Sequence, residues 1–295
     1  MSYFAQQLVN GIALGSVFAV LALGVSLVWG VLDVLNFSHA QFMTWGVFGT
    51  AFGISHGLPV VVAIVVGMLT GATLAVIVEE VVITPLKRRA HVDASSIVVA
   101  TIGVAIVLET VIKKLTHSEL RSFTSEGFPS GSIPVAGISI GLLPLAIFLT
   151  SVVVMVALAL WLARTRLGRE LRTVAYSRER AEIVGINPRT SYVIAFVISG
   201  ALAALAGTFV GAETALISYS SGDGLLLITF AAVVIGGMGS IPGAVLGGLV
   251  LGIGQVLTAA FISQSVSDVL AFGLMVIVLL VRPTGLLRRQ AVSRA

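Results

Sequence analysis

The chain has no cysteine, and only 10% of its 295 residues are charged. The first absence removes disulfides, thiolate metal ligands and thiol nucleophiles. The second removes a water-soluble enzyme of this length, because soluble domains need roughly 25% charged residues to stay wetted. Disorder is excluded by the opposite excess: 57% of the residues are hydrophobic, too many for a solvated open chain. Catalytic signatures are missing as well. The four histidines, His39, His56, His91 and His117, are scattered, with no HExxH. There is no GxSxG and no GxxxxGK[ST] phosphate loop, so the chain cannot bind and hydrolyse ATP by that route. No catalytic residue, metal site or cofactor is expected.

What the sequence does hold is apolar residues in blocks, with a mean hydropathy of +1.10. A membrane helix takes ~20 apolar residues. Nine apolar segments can be read: 3–30, 40–55, 58–83, 94–112, 138–163, 191–212, 225–238, 243–262 and 268–281. The expected fold is an all-α polytopic membrane protein, a single transmembrane domain over 1–295 with about eight to nine transmembrane or half-membrane helices. Segment 225–238 reaches only ~21 Å at ~1.5 Å per residue, so it reads as a half-helix or re-entrant piece. Such backbone is tolerated at membrane depth only where it lines a cavity or is buried in protein.

The net charge of +4 has a membrane cause rather than a nucleic-acid one. Fourteen of the 17 Lys and Arg residues fall in three stretches: three in 84–93, seven in 164–190 and four in 282–295. The positive-inside rule places these stretches in the cytoplasm, with an odd number of crossings, the C-terminus inside and the N-terminus outside. The first basic residue is Lys87, so the start lacks the positive region of a secretory signal. Six GxxxG pairs (11/15, 49/53, 67/71, 207/211, 243/247 and 248/252) predict closely packed helices without saying which ones touch. A weak internal repeat relates 21–53, turning at Asn36–Ser38, to 225–254, turning at Gly236–Gly243.

Three features could carry function. Asn36, Phe37, Ser38 and His39 open the segment 40–55, where Asn or Ser can cap its free N–H groups or face a polar solute. Among intramembrane acids, Glu109 reads as an interfacial partner of Lys113 four positions on, and Asp223 as a solvated helix start. Glu79 and Glu80 lie just before the Lys87 cluster and read as interfacial, or as a buried carboxylate paired to another helix. Loop 164–190 reads as two short amphipathic helices. They either lie on anionic lipid or dock a partner protein.

In that loop Ala181–Glu182–Ile183–Val184–Gly185–Ile186–Asn187 resembles the coupling segment of ABC importer permeases. Asn36–Phe37–Ser38–His39 resembles an "NFAHG" element, and the run from Gly236 to Ala244 and the end Val281–Leu286 also look like this family's. Together they resemble the branched-chain amino acid permease family of the LivH/LivM type, nearer LivH, from Gln7 to Leu287. One departure stands at Ala40–Gln41, where the family often has Gly followed by an acid.

The resemblance implies a permease subunit in a bacterial cytoplasmic membrane, with no enzymatic activity of its own. It implies a second, homologous permease subunit, two cytoplasmic ATPases and an extracytoplasmic solute-binding protein as partners, with membrane lipid around them and no nucleic acid. Glu179, Ala181, Glu182, Gly185, Ile186 and Asn187 would couple to the ATPase. Asn36, Phe37, Ser38, His39, Gln41, Gly236, Gly237, Met238 and Ser240 would line the substrate path. Branched-chain amino acids are the implied solute, with urea or short amides as the alternative. A self-contained secondary transporter or channel is the competing class.

Overall fold

A computed structural model describes residues 2–87, 93–124, 127–135, 138–282 and 284–287. Arg88, Arg89, His91, Pro283, Arg288, Arg289 and Arg294 lie outside the described residues. The helices are α1 Ser2–Leu32, α2 His39–Ser55, α3 Val60–Val78, α4 Thr84–Lys87, α5 Ala94–Leu115 and α6 Leu142–Arg164. They continue with α7 Arg166–Tyr176, α8 Arg178–Ile183, α9 Pro188–Thr214, α10 Asp223–Gly236, α11 Ile241–Phe261 and α12 Gln264–Val281. A π-helical turn, Glu79–Ile83, joins α3 to α4. Two small antiparallel pairs link β1 Arg121–Ser122 to β4 Leu216–Ile217, and β2 Ser132–Val135 to β3 Ile138–Gly141. Seven helices are long and apolar enough to cross a membrane; α10, with 14 residues, is a shorter apolar helix. With α2, this gives the nine apolar segments expected.

A helix that is apolar all round must face lipid or other helices, and both kinds occur. The apolar window of α1 is 89% buried, whereas that of α12 is 12% buried. α1 is therefore the central pillar, and α5, α6 and α12 stand at the periphery. Small residues set the closest approaches. A Cβ added at Gly252 of α11 would lie 2.2 Å from the Gly15 Cα of α1. The 11/15 and 248/252 pairs thus face each other across antiparallel helices, and the 67/71 pair faces α2 and α9.

Contacts at the two ends sort the basic residues. At one end the Gln6 Oε1 accepts from the Ser139 N–H at 2.9 Å, and Lys113 Nζ lies 5.0 Å from the Tyr219 ring centre. At the other, Lys87 Nζ lies 4.6 Å from the Tyr192 ring centre, and Arg189 pairs with Glu80. The described residues of the basic stretches, Lys87, the arginines of 164–190 and Arg282, gather at this second end.

The internal repeat is present in a different register. α1 ends where Asp33 takes the left-handed conformation (φ 58°), and α9 ends likewise at Ala215 (φ 55°). After each long helix a loop turns back into the bundle and starts a short helix, which a tight turn joins to a third. The units α1–α2–α3 and α9–α10–α11 run in opposite directions. The counterpart of the Asn36–Ser38 loop is thus the loop before Asp223, and the Gly236–Gly243 turn matches the turn at Gly57 instead. The expected pairing of 36–38 with 236–243 is corrected on this point.

Candidate functional site

The two re-entrant loops bring the first turns of α2 and α10 together. The Gln41 Nε2 donates to the Asp223 Oδ1 at 3.1 Å, and the Gly222 N–H donates to the Thr44 Oγ1 at 3.1 Å. A Cβ on Gly222 would lie 2.1 Å from the Ala40 carbonyl oxygen, so only glycine admits this approach. α5 closes the other flank. The Phe37 N–H donates to the Thr101 Oγ1 at 3.2 Å, and the Trp45 Nε1 to the Leu108 carbonyl at 3.2 Å. Between these flanks the Phe37 ring packs edge-on against Phe230, with centres 5.1 Å apart.

The Asn36 side chain works locally. Its Oδ1 accepts from the Ser38 N–H at 3.1 Å and from the Ser38 hydroxyl at 2.5 Å, an Asx-type turn. Ser38, at the helix start, makes no side-chain capping bond. The turn is therefore shaped by Asn36 bonding Ser38, not by a hydroxyl capping α2. His39 is buried, its Nδ1 3.1 Å from the Ser199 hydroxyl of α9. Of six buried polar atoms without a hydrogen-bond partner among the described residues, two are Asn36 Nδ2 and Gln41 Oε1, on the two sides of the α2 start, whereas His39 turns to Ser199 of α9 and to the Gly24 stretch of α1. Buried polar groups are normally satisfied, so such a pair marks a place built to meet something else.

Glu109 does not pair with Lys113. Among the described residues it forms no salt bridge, and Lys113 turns instead to the Tyr219 ring. Asp223 is not a solvated helix end but a half-buried partner of Gln41. Thr44, Thr101, Ser199 and Phe230 escaped the sequence reading. Their only signal was a polar or aromatic residue inside an apolar block.

Gly236, Gly237, Met238 and Ser240 are not brought to this cluster. They form the α10–α11 hairpin, a 14-residue helix and so about 20 Å from Asp223. Ser240 Oγ accepts from the Gly243 N–H at 3.2 Å and caps α11. The C-terminal segment lies against the hairpin: the Leu286 N–H donates to the Ile235 carbonyl at 2.8 Å and the Leu287 N–H to the Gly236 carbonyl at 3.1 Å.

Loop 164–190 folds as the two short helices expected. Thr165 and Ser177 accept from backbone N–H groups and cap α7 and α8, and Asn187 caps α9. Gly185, at φ 77°, ends α8, and the Ile186 N–H reaches back to the Ala181 carbonyl at 2.9 Å. Ala181 is fully buried and Ile186 half-buried, whereas Glu179, Glu182, Gly185 and Asn187 are exposed. Glu182 bonds Arg178 at 3.0 Å and pushes that guanidinium's pKa up. Ile183 and Val184, not among the predicted site residues, project into solvent at 83% and 67% exposure. Their signal was an apolar doublet in the most charged stretch of the chain.

The helical arrangement has known counterparts. It matches a metal-chelate-type ABC transporter in an inward-facing conformation at a TM-score of 0.51 and 16% identity, over 94% of this chain and 87% of that one. At that identity the likeness defines the fold alone, one that an ABC transporter also adopts. Residues 7–279 match the family described as the branched-chain amino acid transport system permease component. The permease BraD of Pseudomonas aeruginosa is 31% identical and LivH of Escherichia coli K12 is 32% identical, each over 99% of this chain and 98% of its own length. The chain belongs to this family, as a LivH- and BraD-like multi-pass membrane subunit that is not itself catalytic. In an ABC system ATP is hydrolysed on partner subunits, so the self-contained secondary transporter or channel is set aside. The urea and short-amide alternative finds no support in these relatives.

Proposed function

We propose that this chain forms one half of the translocation path of an importer for branched-chain amino acids in a bacterial cytoplasmic membrane. The observation that carries the reading is the meeting of two oppositely directed short helices, α2 and α10, at the Gln41–Asp223 hydrogen bond. Paired half-helices from an inverted repeat are the usual construction of a solute site at membrane depth. Asn36, Phe37, Ser38, His39 and Gln41 form the path's central constriction, and Gly236, Gly237, Met238 and Ser240 form its inner rim. Residues 1–295 act as one permease domain.

The basic end faces the cytoplasm, in accord with the positive-inside rule, which leaves the N-terminus outside. There Glu179, Ala181, Glu182, Gly185, Ile186 and Asn187 seat on an ATPase. A second, homologous permease completes the path, two ATPase subunits drive it, and an extracytoplasmic binding protein delivers the solute. The test is reconstitution of all these subunits in liposomes. ATP-dependent uptake of leucine, isoleucine or valine is expected, with no uptake of urea. Solute movement by the isolated chain along an ion gradient, without ATPases, would overturn the reading.

A further inference from the structure

We infer that Glu109 and Asp223, completed by the Gln41 carbonyl oxygen, form the subsite that takes the ammonium group of the transported solute. The inference rests on the amino-acid reading above and adds which end of the molecule this chain holds, and with which atoms.

Three elements bring the groups to one level. Asp223 opens α10 and accepts from Gln41 through Oδ1. Its Oδ2 has no hydrogen bond among the described residues. Gln41 is fully buried, yet its Oε1 has no partner there. Glu109 follows Leu108, whose carbonyl is fixed to Trp45, one residue beyond the Thr44 that binds Gly222. Glu109 is half-buried on the flank of α5 that meets α2. Neither Glu109 nor Asp223 forms a salt bridge among the described residues, and the nearest lysine in sequence, Lys113, is engaged with Tyr219.

The first turn of a helix stabilises an anion such as Asp223. It does nothing for Glu109, on the last turns of another helix. Two uncompensated carboxylates and an unpaired amide oxygen inside a membrane bundle call for a cation with several donors. A primary ammonium has three N–H donors and no acceptor, which matches one oxygen from each of the three side chains. A divalent metal fits worse: the described residues hold no group of three or more His, Cys, Asp or Glu residues, and hard cations demand six or more oxygens. Phe37 and Phe230 lie one helical stretch deeper, where an aliphatic side chain can follow the ammonium.

The test uses the complete importer without its binding protein, so that the permease is read directly. The probe is radiolabelled 3-methylbutylamine, which keeps the ammonium and the aliphatic chain of leucine but lacks the carboxylate. Saturable binding is expected, displaced by L-leucine but not by 4-methylpentanoate, which keeps the aliphatic chain and the carboxylate and lacks only the ammonium. Asp223→Asn should weaken it about tenfold, the loss of one charge-assisted hydrogen bond, with recovery in Asp223→Glu. Glu109→Gln, at a half-buried position, keeps the question readable if Asp223→Asn fails to assemble, as judged by co-elution of the subunits.

No amine binding, binding unchanged in both variants, displacement by 4-methylpentanoate, or equal displacement by sodium would overturn the inference. The two readings fail separately. If the wild-type importer takes up no leucine but amine binding depends on Asp223, the functional reading falls and the subsite stands. Leucine uptake with amine binding indifferent to both carboxylates gives the reverse.

Discussion

The Gln41 carboxamide donates to the Asp223 carboxylate at 3.1 Å and thereby joins two helix starts that lie 182 residues apart in the chain. Asp223 is half-buried and Gln41 fully so, which makes this tie costly to lose. A hydrogen bond to a charged group contributes about 1.5–3 kcal/mol. Gln41→Leu should lower leucine uptake by the reconstituted importer about tenfold or more, with subunit assembly retained. Wild-type uptake in that variant would remove Gln41 from the path.

Ile183 and Val184 stand at the end of α8 and project into solvent, in the most charged stretch of the chain. Ile183→Asp and Val184→Asp should leave thermal stability within about 0.5 kcal/mol, as surface changes do. Co-purification of the ATPase subunits should be lost. ATPases that still co-elute with the double variant would show that the contact lies elsewhere.

Glu79 is fully buried, and its Oε1 accepts from the Thr84 hydroxyl at 2.6 Å. Thr84→Val leaves that carboxylate without a donor and should destabilise the chain by about 1–3 kcal/mol. Adding Glu79→Gln removes the charge and should restore part of the loss. A thermal-unfolding series on the purified single and double variants reads this, and additive losses would show that the two side chains do not act on each other.

Gly237 has φ 105°, and a Cβ there would meet the Leu287 carbonyl oxygen at 2.7 Å. Gly237→Leu combines a left-handed strain of about 1–3 kcal/mol with displacement of residues 284–287. Uptake should fall, and carboxypeptidase should trim the C-terminus faster than in the wild type. Unchanged uptake and unchanged trimming would free the hairpin from any such role.

Nine apolar blocks, the clustering of basic residues and the two short helices of 164–190 were legible in the sequence. Each rests on local composition: ~20 apolar residues make a span, and arginines interrupt one. Which helices touch was not legible, since GxxxG permits close approach without naming a partner. The repeat was mis-registered because the loop before Asp223 has the serine and glycine content of any surface loop. Its re-entry is visible only through Gly222 on Thr44. Glu109 was assigned to Lys113 by the spacing of four, but Tyr219, more than a hundred residues away, took the lysine instead. The family motifs located the α2 start correctly, yet the unpaired oxygens around Gln41 and Asp223 depend on three elements meeting, which no local pattern encodes.

The π-helical turn at Glu79–Ile83 has a further consequence. One residue of extra winding shifts the angular phase of everything after it by about 100°. The stretch before it can keep its small-residue stripe against α2 and α9, while Glu80 is free to swing onto Arg189 at the foot of α9. Deleting a single residue from this turn would restore an unbroken helix and force a choice between the two registers. The turn thus separates the packing of the bundle from the ion pair beside loop 164–190.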